Sequence, residues 1–129
     1  MKRIEIRGVI VSGNYDGDWA DQYIQRGIFT PESRVRKAFA EADDDVELYI
    51  NSQGGSIFAG NEIVNVIQAF RATGRKVEIT VGALAASMAA IIVANADASD
   101  VKVCLLYTSD AAEDILCVSI GVWMVIEKN

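Results

Sequence analysis

Two short segments hold the residue types and spacing that could do covalent chemistry. In Gly82-Ala83-Leu84-Ala85-Ala86-Ser87-Met88-Ala89-Ala90 a single hydroxyl stands among side chains of little bulk. A serine placed this way, at the start of a helix that directly follows a strand, resembles a nucleophile elbow, because small neighbours permit the sharp turn that exposes its oxygen. Ser87 would then attack a carbonyl, with the Met88 N–H facing the carbonyl oxygen and the helix dipole helping. The plainer alternative is a serine in a small-residue helix packed tightly on a sheet. The second segment is Asn51-Ser52-Gln53-Gly54-Gly55-Ser56. Its paired glycines let the backbone approach a ligand and point N–H groups at it, with a helix N-terminus behind. Here the alternative is a tight strand-to-helix turn with Ser56 as the N-cap. The pair is more specific than either alone: one segment offers an N–H donor, the other a nucleophile and a second donor.

The elements that must position these residues follow from patterning. Ile4 and Ile6 alternate with Glu5 and Arg7, then Val9-Ile10-Val11 runs apolar, so Arg3 to Val11 is a strand that ends buried. Ser12 to Gly17 is turn chemistry, and Asp18 to Gly27 is a short helix with Trp19 and Tyr23 on one face. Thr30-Pro31 reads as an N-cap with proline at the first helical position, opening an amphipathic helix to about Ala42. The cluster Asp43-Asp44-Asp45 is a solvated turn. Val46, Leu48 and Ile50 make a second strand, broken by Asn51 to Gly55. Ile57 to Ala72 is a helix with Ile63, Ile67 and Phe70 on one side, closed by Gly74. Val77 to Val81 is a third strand, Gly82 to Ala86 turns into a helix reaching about Ala96, and Val101 opens a fourth strand. Strands alternating with helices predict an α/β fold with a mostly parallel sheet.

Composition narrows the chemistry. The chain of 129 residues is one domain at most. Histidine is absent, which removes every histidine metal site and every histidine base from these residues. No metal or cofactor is expected. The net charge of −6, with no basic stripe, argues against a nucleic-acid partner. Val81 to Ala96 is interrupted by Ser87 and falls short of the ~20 residues of a membrane helix, so no membrane is expected. Met1-Lys2-Arg3 leads straight into strand alternation rather than the apolar block of a signal peptide. Cys104 and Cys117 are too few for a disulfide scaffold. The expectation is a soluble cytoplasmic protein.

At this point the residues carry a family resemblance. Leu48-Tyr49-Ile50-Asn51-Ser52-Gln53-Gly54-Gly55-Ser56, then Ala59-Gly60, then Gly82 and Ala85-Ala86-Ser87-Met88-Ala89, resemble the proteolytic subunit of Clp protease. The insert from Trp19 to Phe29, followed by Thr30-Pro31, is more like the phage and prophage branch, the Clp-like head maturation proteases. The resemblance implies an α/β fold of repeated β-β-α units shared with the crotonases, and a serine endopeptidase with a Ser-His-Asp triad. By position, Ser87 matches the nucleophile, and the backbone N–H groups of Gly55 and Met88 match the oxyanion hole. Gln53 departs from the more usual proline. Homo-oligomeric rings, protein or peptide substrates and an ATPase unfoldase are implied partners; the phage branch would act inside a procapsid on capsid or scaffold proteins.

The departure lies downstream. Where the family's histidine belongs, this sequence reads Cys104-Leu105-Leu106-Tyr107-Thr108-Ser109-Asp110-Ala111-Ala112. Those letters resemble the translation of a transposase-type sequencing adapter. The reading is therefore a Clp-protease-like domain over residues 1–103, truncated at its C-terminus, and a non-native tail over 104–129. A serine without a base is a weak nucleophile, so the chain as given is expected to be inactive. Three alternatives stay open. One is a non-catalytic truncated or structural ring subunit. Another is a Ser-Lys hydrolase of the signal-peptide-peptidase type, with Lys76 and Lys102 nearest in sequence. The third is a crotonase-like acyl-CoA enzyme, which would not need Ser87.

Overall fold

The computed structural model describes residues 1–97, 100–109 and 112–119, with side chains described through residue 103. In chain order the elements are β1 (Lys2–Val11), α1 (Asp18–Gln25), β2 (Phe29–Pro31), α2 (Glu32–Ala40), β3 (Val46–Gly55), α3 (Ile57–Ala72), β4 (Val77–Ala85), α4 (Met88–Ala94), β5 (Val101–Ser109) and β6 (Ala112–Ser119). The six strands form one sheet in the order β2-β1-β3-β4-β5-β6. All pairings are parallel except β5 with β6. From β1 through β3 and β4 to β5 the chain steps in one direction across the sheet. Right-handed crossovers that advance one way deposit their helices on one face, and the burial pattern agrees. Ile4, Ile6, Leu48, Ile50, Val77, Ile79 and Val101 are buried on the face that meets Val35 and Phe39 of α2, Ile63, Ile67 and Phe70 of α3, and Ile92 of α4. The other face carries Tyr49 with the guanidinium carbons of Arg3 and Arg7 over its ring, 4.6 and 5.3 Å from the centroid. Its hydroxyl lies over Gly82, where an added Cβ would stand 2.2 Å from it.

The α3 helix matches its sequence reading. Ser56 caps it by accepting the Ala59 N–H at 3.2 Å, and Ile63, Ile67 and Phe70 form its buried stripe. Four other expectations are corrected. Thr30 is not an N-cap: Phe29–Pro31 is the edge strand β2, α2 begins at Glu32, and Pro31 stands at its head without a side-chain cap. The Thr30 hydroxyl instead accepts the Arg7 N–H and donates to the Arg7 carbonyl, both at 2.8 Å. Asn51 to Gly55 does not break the second strand, because β3 continues to Gly55, which pairs with Ile10. A Cβ on Gly55 would sit 2.2 Å from the Ile10 carbonyl oxygen, so glycine is what lets the ladder continue there. Gly82 likewise does not end β4, which runs to Ala85. Finally, Asp45 is more than a solvated turn, since its Oδ1 accepts the Lys76 N–H at 2.8 Å and ties the start of β3 to that of β4. Asp43 and Asp44 are exposed as expected. Toward the far edge, β5 runs on from Val101 through the 103/104 boundary drawn from the sequence and pairs antiparallel with β6.

Candidate active site

The C-terminal ends of β3 and β4 lie side by side, with Ser52 opposite Ala85 in register. Ala86 donates its N–H to the Ser52 carbonyl at 3.1 Å. The chain then bends at Ser87, whose backbone angles are φ 54 and ψ −123. Among the described residues it is the only non-glycine residue with positive φ. Such a conformation costs an L-residue about 1–3 kcal/mol and persists only where its surroundings enforce it. Here α4 does so, starting at Met88 with Ile91 N–H donating to the Ser87 carbonyl at 3.2 Å and Ala89 N–H to the Ala86 carbonyl at 3.1 Å. Small neighbours at Ala85, Ala86 and Ala89 leave room for the bend. The Ser87 side chain is exposed and caps no helical N–H. An exposed serine on a strained strand-to-helix turn is the elbow geometry anticipated from the sequence.

Met88 anchors the elbow from below. It is 2 % exposed, and its side chain fills the notch over Gly60 in α3, where an added Cβ would lie 2.1 Å from Met88 Cγ. Its N–H is the first of α4, one of those a helix leaves without an intrahelical partner. Against it lies Gly54: a Cβ built there would stand 2.8 Å from Ser87 Cβ, 2.9 Å from the Ala86 carbonyl oxygen and 3.0 Å from the Met88 nitrogen. The two segments singled out in the sequence are therefore in van der Waals contact. The glycine touching the elbow is Gly54, while a Cβ on Gly55 would point at Ile10 of β1. Ser52, read only as part of the motif, is the buried polar residue of this loop. Its hydroxyl donates to the Gly8 carbonyl at 2.6 Å and accepts the Gly54 N–H at 3.0 Å. A polar residue just ahead of paired glycines was the available signal, but its partner in β1 is 44 positions away.

Lys76 and Lys102 both lie short of the strand end that carries Ser87. Lys76 precedes β4 and pairs with Asp100 at 3.4 Å, at the opposite end of a strand that runs alongside Val46 to Ser52 of β3, roughly 20 Å. Lys102 lies opposite Thr80, which the bulged ladder sets three β3 positions, Tyr49 to Ser52, or roughly 10 Å, before Ala85. Among the described residues no group of three or more acidic or cysteine side chains is placed to hold a metal ion. Also among them, no helix is long and apolar enough to cross a membrane. A concavity of about 360 Å³ between β1 and α2, bounded by Arg3, Glu5, Thr30 and Arg34, contains no residue of either loop.

The model of the Clp protease family matches residues 7–106, a span that includes both loops. The chain belongs to the Clp protease family. Among solved structures, a ClpP1 mutant from Listeria monocytogenes is similar to this Clp-family chain with a TM-score of 0.54 and 19 % sequence identity. The match covers 83 % of this chain and 57 % of that one, so the chain spans little more than half the length of that protein. At this identity the likeness establishes a shared fold. No curated protein matches the chain.

Proposed function

We propose that this Clp-family chain carries the nucleophile half of a serine endopeptidase site, with Ser87 as nucleophile and the N–H groups of Gly55 and Met88 as oxyanion donors. The observation that carries the reading is the Ser87 turn, strained and exposed between β4 and α4, with the glycine loop of β3 against it. On this reading Ser87 Oγ attacks a peptide carbonyl carbon, and negative charge gathers on the carbonyl oxygen between the two N–H groups. Preorganised donors stabilise that charge without reorganising, and one such donor is worth roughly 10²–10³ in rate. Ile57 and Phe58 directly follow the glycine loop, and Leu84 and Ile91 flank Ser87 in sequence. All four are large exposed apolar side chains, which suits unfolded polypeptide as substrate. Phage capsid or scaffold proteins are the substrate class implied by the α1 insert, and rings of like subunits, with or without an ATPase unfoldase, are the implied assembly. Residues 104–129 are on this reading a tail foreign to the domain, and Cys104 and Cys117 carry no role.

Histidine is absent, so the proton of Ser87 has no ordinary acceptor, and the 129-residue chain turns over little or no peptide. That absence favours the second reading, a non-catalytic or structural ring subunit. Supplying the base from solution separates them. The chain and its Ser87→Ala variant are incubated with an activated peptide ester in excess imidazole, and acyl adducts are located by mass spectrometry. Imidazole takes the hydroxyl proton, the serine oxygen bonds the acyl carbon, and the alcohol of the ester leaves. Imidazole-dependent acylation at Ser87, absent from Ser87→Ala, is the expected result. Equal labelling of both chains would leave only the structural reading.

A further inference from the structure

The paired glycines beside Ser87 pair with Val9 and Ile10 of β1 and have a further tie on their upstream side. Gly54 has φ +103 and Gly55 φ +152, conformations open to glycine because it lacks a Cβ. On the downstream side Ile10 pairs with Gly55 and its carbonyl accepts the Ser56 N–H at 2.9 Å. Ser52 supplies the restraint on the upstream side. It is 1 % exposed, and its hydroxyl uses its one proton on the Gly8 carbonyl and a lone pair on the Gly54 N–H. Gly8 is itself a special point of β1: φ is +66, and the register with β3 shifts between Arg7 and Val9. Bulges of this kind re-aim the backbone beside sites. Through its carbonyl, Ser52 also accepts the Ala86 N–H. One residue thus links the β1 bulge, the glycine loop and the strand leading into the elbow.

We propose that Ser52 is a positioning residue. By holding the Gly54 N–H it fixes the Gln53–Gly54 peptide plane, and so limits the path of the chain into Gly55 and the aim of the Gly55 N–H one residue on. The oxyanion role of that N–H rests on the peptidase reading above; the restraint on the loop does not.

The test uses the full chain and three variants. Ser52→Ala removes both hydroxyl bonds. Ser52→Cys fills the same space with a thiol that bonds weakly. Ser56→Ala removes the α3 cap bond to Ala59 N–H and leaves Gly54 untouched. Amide hydrogen exchange reads the restraint, and the dissociation rate of a peptide boronic acid, whose boron bonds Ser87 Oγ as the hydroxyl proton passes to water, reads the site. Gly54 exchange is expected to accelerate at least about tenfold in both Ser52 variants relative to Ser56→Ala, after correction for global stability. Boronate dissociation should quicken by roughly tenfold in the Ser52 variants alone, a partial loss of one oxyanion donor. Unchanged Gly54 protection in both Ser52 variants overturns the proposal, and so does equal quickening of boronate release by Ser56→Ala. If wild type and Ser87→Ala take up the boronate equally, the peptidase reading falls, and Gly54 exchange alone decides the positioning role.

Discussion

Replacing Gly54 with alanine measures how tightly the glycine loop is wedged against the elbow. The new Cβ would stand 2.8 Å from Ser87 Cβ, 2.9 Å from the Ala86 carbonyl oxygen and 3.0 Å from the Met88 nitrogen. None of those atoms belongs to a flexible side-chain tip, so no rotamer change relieves the crowding. Forcing a methyl into such a space costs about 1–3 kcal/mol. The positive φ adds about 1–2 kcal/mol for an L-residue. Gly74, after the end of α3, separates the two contributions. Its φ is +89, but a Cβ there meets nothing within 4 Å. Gly74→Ala therefore bears the conformational part alone. Both substitutions stiffen the unfolded chain by a similar amount, about 0.4–1 kcal/mol, which cancels in the comparison. Gly54→Ala is expected to be the more destabilising by about 1–3 kcal/mol, read from urea unfolding midpoints at unchanged m value. Equal losses at the two positions would refute the contact between the glycine loop and the elbow, and with it the joining of the two segments into one site.

The strained turn should behave as stored energy: Ser87→Gly is expected to be more stable than Ser87→Ala by about 1 kcal/mol, the relief of a positive φ outweighing the looser unfolded chain. Thermal unfolding of the two proteins checks this, and an alanine variant as stable as the glycine one would contradict it. Thr30→Val leaves both the Arg7 N–H and the Arg7 carbonyl without their partner and should cost about 1–3 kcal/mol; a loss within experimental error would mean that water replaces the hydroxyl fully. Ile63→Ala empties a fully buried position of α3 and should cost about 2–5 kcal/mol by denaturant titration, whereas a loss below 1 kcal/mol would place that helix face outside the core.

Much of the fold was legible because its signals are local. The α3 helix follows from a 3.6-residue apolar stripe, a serine cap and a closing glycine, all within twenty residues. The bend at Ser87 was legible for the same reason: the small side chains of Ala85, Ala86 and Ala89 leave room for it and stand within a few residues of it. The errors share one cause. Thr30-Pro31 has the local form of a helix start, but the Thr30 hydroxyl finds two backbone partners on Arg7, 23 positions away. A strand's length depends on how far its neighbour stays in register, so β3 and β4 run past glycines that look like breakers. The residue types, the elbow and the alternation of strands and helices were determined by the sequence itself, because they depend on side-chain size, periodicity and caps. Which glycine touches Ser87, and which hydroxyl holds that glycine, was decided only when β1, β3 and β4 came together, because those contacts join residues far apart in the chain through backbone groups that every sequence position shares.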